Sequence, residues 1–575
     1  MITIQDDLFA ECNPTHYGDR RNHRNLFLPK YLERDSEGLR STDEEFRRAW
    51  GILGKWAKLE STGSLLKRKE TALQGEFLSE VFGEALGYVL FSEGIDEWNL
   101  EPQYQVNGGT ADGALGLFRN GEKRPFAILE LKGPRVNLDR DRFNGRTPVQ
   151  QCWDYLNALP ECPWGIVCNY VSFRLYHRDH TPRAYQLFLL QELVRSEAFR
   201  QFYYLFERRG LIPAVEGQKS RATVLLENTD SRQREVGDHL YEHYHENRCK
   251  LIRHLMSKPH EKPLERAIQI SQKLLDRIIF IAFCEDRGLL PEYSISRAYH
   301  YVPPFVRVVN PRWRNFLDLF RSIDKGNDKI FIPPYDGGLF REDAEVDNLQ
   351  LDDEWTLFFD GIGNYDFRDE VNVDVLGHIF ERSVNDIERI RLGGFFEAEV
   401  EEGPRHRMAK SAERKRFGIY YTPPSFTSFI VHNVVGKDIE ERFETLARKQ
   451  SDLSDLTSAR PDSRLEQYWR ACFNSLRDIK IVDPACGSGA FLIKAYDLLE
   501  EQYNEVVDQI AFHSGQQDET LREQIPDIIL QDNLFGVDVS PEAVEITQLA
   551  LWIRFARHGK TLTDLSEHIV CGNSL

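Results

Sequence analysis

The stretch IVDPACGSGAFLIKAYDLL, Ile481 to Leu499, constrains this chain more than any other. An apolar strand from Ile479 to Val482 runs into a loop containing Gly487 and Gly489 and then into a helical pattern, the strand–turn–helix order that opens a doubly wound α/β domain. The glycines let a ligand come close to the backbone. A dinucleotide fingerprint needs a third glycine, but Leu492 stands there, and Asp483 at the strand end would repel a pyrophosphate. A cationic ligand fits better. S-adenosylmethionine carries a sulfonium and an ammonium, and Asp483 can pair with the ammonium while loop amides hold the carboxylate. Downstream, NLFGVDVSPEAVEITQLALWI is a second apolar strand ending in Asp538, followed by a helix opened by Ser540-Pro541. An acid at that strand end can accept both ribose hydroxyls. The gap between the two segments exceeds the ~20 residues of a simple dinucleotide unit, so a helical insertion around EEQYNEVVDQIAFHSGQQ is expected. Asn573 in GNSL ends a third strand on the same edge, where its amide can read an adenine ring.

A second constellation lies far upstream in TADGALGLFRNGEKRPFAILELKGP. Two apolar strands flank a turn near Asn120-Gly121, a hairpin signal that brings Asp112 opposite the neighbourhood of Glu130. Because side chains alternate along a strand, Glu130 and Lys132 share one face while Leu129 and Leu131 point to the other. Two carboxylates and an ammonium converge, and such oxygen ligands suit Mg²⁺ in a phosphodiester-cleaving site. This resembles the PD-(D/E)xK nuclease superfamily, with Asp112, Glu130 and Lys132 at its motif positions. Gln151 and Tyr155 in QQCWDY add the helical QxxxY pair of one branch of that superfamily, and Glu76 and Glu80 on the preceding helix are candidate extra metal ligands. Ala111 stands where the family has proline.

Composition narrows the setting. At 575 residues the chain needs several cores, and 41% hydrophobic content can fill them. A net charge of -19 argues against coating nucleic acid through bulk charge, so any such site must be a local patch. The basic segment RHRMAKSAERKRF, with Arg405, Arg407, Lys410, Arg414, Lys415 and Arg416, is one candidate clamp for DNA phosphates. The nine cysteines are never spaced as CxxC, which disfavours a disulfide framework and a structural zinc site. No apolar run approaches the ~20 residues that span a bilayer, and no signal-peptide pattern opens the chain, so a cytoplasmic location away from membranes is expected.

The organisation expected is a leader over 1–60, a compact α/β domain over 61–200, a helical connector over 201–410 and strand–helix alternation over 411–575. The last region resembles the adenine-N6 DNA methyltransferases of the gamma arrangement. The loop Asp483, Pro484, Ala485, Cys486, Gly487, Ser488, Gly489, Ala490, Phe491 matches their first motif, FGVDVSPEAVEITQLAL the second, and RKRFGIYYTPPSFTSFIV the preceding one, in which Tyr421, Thr422 and Pro423 close over the methionine end. That resemblance implies a Rossmann-like, S-adenosylmethionine-dependent core. In the family a catalytic (N/D)PP(Y/F) motif follows the GNSL strand and grips a flipped base. The similar string here, IPPY (Ile332 to Tyr335), has an isoleucine that cannot accept the amine's hydrogen bond and reads as a turn. The whole therefore resembles the N-terminal part of Type IIG restriction–modification enzymes, implying adenine methylation and Mg²⁺-dependent cleavage of double-stranded DNA. Two rival readings are a methyltransferase whose nuclease-like domain only grips DNA, and a cofactor-binding module without methyl transfer.

Overall fold

The computed structural model describes residues 25–39, 43–68, 70–91, 96–106, 109–119, 122–139, 141, 143, 146–180, 182, 184–215, 217–302, 308–335, 338–371, 373–391, 424–449, 461–516, 519–556 and 561–574. They form two compact units divided between Arg232 and Gln233. The expected turn at Asn120-Gly121, the basic segment and Tyr421 to Pro423 lie outside the described residues.

The first unit is built on a six-stranded sheet in sequential order: β1 (Glu97–Val106), β2 (Gly109–Arg119), β3 (Glu122–Leu131), β4 (Trp164–Cys168), β5 (Ser172–His177) and β6 (Tyr185–Leu189). All neighbours are antiparallel except β3 and β4. A parallel pair needs a crossover, and the connection between β3 and β4 contains a helix, Pro148–Ala158. Alternation sends Leu115, Leu129, Leu131, Ile166 and Phe173 to one face, which packs against α1 (Glu44–Ser61), α2 (Glu70–Phe77, continued as a wider π turn to Ala85) and Ser196–Phe206. On the other face Ala114, Ile128, Val167 and Tyr176 meet Cys152 and Leu156 of α3 (Pro148–Ala158). A Cβ at Gly165 would lie 2.5 Å from the Cys152 sulfur, so only glycine lets α3 sit this close to β4.

α3 starts where its capping signals dictate. Thr147 accepts from the Gln150 amide, the Gln150 side chain answers the Thr147 amide, and Pro148 occupies the first turn. The segment WGIVCNYVSFRLY folds back on itself as β4 and β5. Asn169 Oδ1 accepts from the Ser172 amide at 2.9 Å, and Tyr170 adopts φ +67° at the turn. Every residue from Trp164 to Tyr176 is buried, so no polar alternation marks where one strand ends.

The second unit is largely helical before its sheet. α4 (Leu264–Asp286) is buried along most of its length and stops before Gly288, whose φ is +68°. α5 (Val373–Arg389) and several shorter helices share its core. IPPY is an anchor: Ile332 and Tyr335 are buried, the Tyr335 hydroxyl donates to the Leu289 carbonyl at 2.7 Å, and the Leu562 amide donates to the Tyr335 carbonyl at 2.7 Å. Three parallel strands follow, in the order β7 (Ile481–Asp483), β8 (Leu534–Asp538), β9 (Ile569–Cys571). The expected helical insertion is α6 (Ala490–Ser514) with Glu519–Ile528, and α7 (Pro541–Phe555) joins β8 toward β9. Both units are thus mixed α/β assemblies. Among the described residues no helix is long and apolar enough to cross a membrane.

Candidate functional site

Parallel strands bring their carboxyl ends to one edge, and the register aligns Asp483 with Gly536 and Asp538 with Cys571. Between β7 and α6 the loop is held by its own backbone. The Cys486 amide donates to the Val537 carbonyl at 3.0 Å, the Gly489 amide to the Cys486 carbonyl at 2.8 Å, and the Thr547 hydroxyl to the Gly487 carbonyl at 2.7 Å. Gly489 sits at φ +82°, and a Cβ there would meet the Thr547 methyl at 2.9 Å. Gly487, at φ +54°, turns its amide to Asp538 Oδ2 at 2.9 Å. The other Asp538 oxygen accepts from the Ser540 amide at 2.9 Å. Asp538 therefore clasps the glycine loop to its own strand.

Asp483 is arranged differently. Its Oδ1 accepts from the Ala485 amide at 3.1 Å, while its Oδ2 is buried with no hydrogen-bond partner among the described residues. Burial, and secondarily the Asp538 charge, push the Asp483 carboxyl above the usual carboxylate range. A cation beside Oδ2 would relieve both effects. Pro484 and Ala485 are exposed on this loop, Ser574 donates to the Pro484 carbonyl at 2.7 Å, Asn573 is exposed on the same edge and Phe491 is half-buried. Burial, then Asp538 and Asp483, push the Cys486 thiol up to about 12, which removes it as a nucleophile at neutral pH.

In the first unit, pairing of Gly113 with Leu129 sets Asp112 across from Glu130. Asp112 Oδ2 accepts from the Leu131 amide at 2.8 Å and lies 3.7 Å from the Lys132 ammonium. Lys132 donates a short hydrogen bond to Glu130 Oε1 and stands 5.2 Å from the centre of the Phe143 ring. Glu130 and Lys132 are both buried. Gln151 and Tyr155 brace the surroundings: Gln151 donates to the Phe143 carbonyl at 2.9 Å and Tyr155 to the Thr110 carbonyl at 3.1 Å. Burial, then the Glu130 charge, raise the Tyr155 hydroxyl above its ordinary value.

The preceding helix contributes a residue that sequence reasoning missed. Gln74 donates to Asp112 Oδ1 at 3.2 Å. Glu76, two positions on, is exposed, and Glu80 is engaged by Lys55 and by the Trp56 indole N–H. Residues two apart on a helix face nearly opposite ways, so Gln74 and Glu76 cannot both reach the sheet. Among the described residues no group of three or more histidine, cysteine, aspartate or glutamate side chains is arranged to hold a metal ion.

Residues 461–569 match the protein family described as "MmeI, DNA-methyltransferase domain". A candidate type II restriction enzyme and methyltransferase of Methanocaldococcus jannaschii, RM.MjaORFECS2P, is 27% identical over 344 residues, covering 52% of this chain and 27% of that protein. The adenine-specific methyltransferase PglX of Lacticaseibacillus casei is 21% identical over 47% of this chain and 20% of its own length. A solved structure of the Type IIL restriction-modification enzyme MmeI in complex with DNA aligns with a TM-score of 0.39 and 18% identity, over 58% of this chain and 40% of that one. The chain thus spans under a third of the length of these two curated relatives.

Proposed function

We propose, from the resemblance of this chain to type II restriction–modification enzymes, that its second unit binds S-adenosylmethionine for adenine-N6 methylation of DNA and its first unit is a Mg²⁺-dependent nuclease. The observation that carries the first part is the buried, partnerless oxygen of Asp483, lying within the stretch that matches a DNA-methyltransferase domain. When bound, S-adenosylmethionine supplies the electrophilic methyl group. Asp483 would hold its ammonium, Asp538 its ribose hydroxyls, and the loop from Pro484 to Phe491 its carboxylate and backbone surroundings, in a Rossmann-like core. Tyr421, Thr422, Pro423 and Asn573 are assigned to the methionine and adenine ends. Titration of the chain with S-adenosylmethionine tests this: saturable binding lost in Asp483→Ala supports it, and no binding by the wild type overturns it.

For the first unit the donor set fits Mg²⁺ in kind, since that ion needs only one or two carboxylates beside water and phosphate. Asp112 and Glu130 would hold it in a PD-(D/E)xK-like site, where it would lower the pKa of an attacking water. Lys132 would orient that water and balance developing negative charge, while Gln151 and Tyr155 hold the flanking backbone through the Phe143 and Thr110 carbonyls. Plasmid nicking with Mg²⁺ that disappears in Glu130→Ala is the expected result. A second reading has its own observation: Lys132 already neutralises Glu130, as a DNA-gripping domain without cleavage would allow. No nicking by the wild type, with DNA retention intact, selects that reading, and nicking unchanged in Glu130→Ala overturns the assignment of cleavage to this site.

A further inference from the structure

The contacts behind Asp538 give a role to two residues that neither the glycine loop nor the strand ends reveal. Glu542 lies in the first turn of α7 and is 0% exposed. An ionised carboxylate that deep is costly unless it is paired. Its Oε2 accepts from the Arg391 guanidinium at 2.5 Å and from the Ser540 hydroxyl at 3.1 Å. Arg391, just beyond α5, also reaches Glu265 of α4 at 3.0 Å. An acid that merely complemented the helix dipole would work while exposed and would need no arginine from a distant segment.

Ser540 connects this pair to the cleft. Its hydroxyl oxygen accepts from the Ala543 amide at 3.3 Å, which closes the helix start, and its own amide donates to Asp538 Oδ1 at 2.9 Å. Because the hydroxyl proton is committed to Glu542, Ser540 cannot swing that proton onto Asp538. The amides of Ser540 and Gly487 then fix the carboxylate plane from two sides, and each oxygen keeps a second lone pair for a hydroxyl donor. Two fixed acceptors side by side match a vicinal diol.

We propose that Glu542, held by Arg391, is a positioning residue that fixes the Asp538 carboxylate for the vicinal hydroxyls of the cofactor ribose. This rests on the S-adenosylmethionine reading above and extends it to residues outside the loop. The test is calorimetric titration of the full 575-residue chain with S-adenosylhomocysteine and with its 2′,3′-dideoxy analogue. Glu542→Gln is expected to lose roughly five- to tenfold in affinity for the first ligand and nothing for the second. Asp538→Asn should abolish the preference between the two, and adding Glu542→Gln to it should change nothing further. Arg391→Gln, altering a side chain with 16% exposure, should reproduce the selective loss and carries the test if Glu542→Gln does not fold. Equal losses for both ligands, additive losses in the double variant, or an unchanged preference would overturn the assignment. A wild type that binds neither ligand overturns the cofactor reading itself, and this inference with it; a wild type that binds both equally overturns only the diol assignment.

Discussion

Both units bring a pair of acids together on neighbouring strands, yet they treat the charge in different ways. In the first unit the protein supplies a cation of its own: Gln74 and the Leu131 amide hold Asp112, and Lys132 pairs with one oxygen of Glu130. In the second, Asp538 is satisfied by two amides but Asp483 keeps a buried oxygen without a partner. A buried ion needs a counter-charge, and the two sites differ in where that charge comes from. The first holds its shape by internal pairing. The second leaves part of its electrostatics to a ligand.

The sharpest way to break this contrast is to remove each counter-charge in turn. Lys132→Met leaves Glu130 buried beside no ammonium and should destabilise the first unit by about 3 kcal/mol, measured by urea unfolding. Adding Glu130→Gln should recover most of that loss, because the cost lies in the uncompensated charge. A change below about 0.5 kcal/mol would mean that Glu130 is not ionised in the fold. Asp483→Ala, by contrast, should leave stability unchanged or higher while costing roughly 1.5 to 3 kcal/mol in S-adenosylmethionine binding. A clear loss of stability in that variant would show that Asp483 serves the loop rather than a ligand.

What was legible from sequence follows from the range of the forces involved. Asp483, Gly487, Gly489 and Asp538 stand at junctions marked by local signals, an apolar strand before and a helix opener after, so their shared edge could be read directly. The clasp from the Gly487 amide to Asp538 could not, since it joins residues 51 apart through backbone geometry. Arg391 and Glu542 are 151 apart and carry no motif. That Asp112 comes near Glu130 was accessible because the hairpin was legible, but the exact pairing was not, since the register shifts by one between Leu115 and Gly116. Gln74 carries no acidic signal in the sequence, since this position uses an amide to hold a carboxylate. Burial on both faces hid the β4–β5 turn.

A smaller test concerns the braces of the first site. Tyr155→Phe deletes one hydroxyl that donates to the Thr110 carbonyl, two residues before Asp112. The expected cost is about 1 kcal/mol by urea unfolding, well below that of Lys132→Met, because a neutral hydrogen bond at a half-buried position is being removed. A cost as large as the lysine's would mean that the brace, and not the ion pair, holds the site.

The smallest expected effect follows pH. The Asp483 carboxyl is raised by burial and by Asp538, so the folded chain holds its proton to a higher pH than the unfolded chain does. Below the usual carboxylate range both states are protonated, and Asp483→Asn should match the wild type in stability. As pH rises through the raised value, the wild type must ionise a group in a poor environment and loses stability that the asparagine variant keeps. The variant should therefore gain on the wild type as pH rises above the usual carboxylate range and level off beyond, a trend that urea midpoints measured against pH would reveal. Saturating S-adenosylhomocysteine, which brings its own ammonium, should reverse the order at neutral pH, because the wild type alone then gains a charged pair. If the two proteins kept a constant difference at every pH, with or without ligand, Asp483 would titrate like an exposed acid, and the contrast between a self-neutralised site and a ligand-completed one would fail.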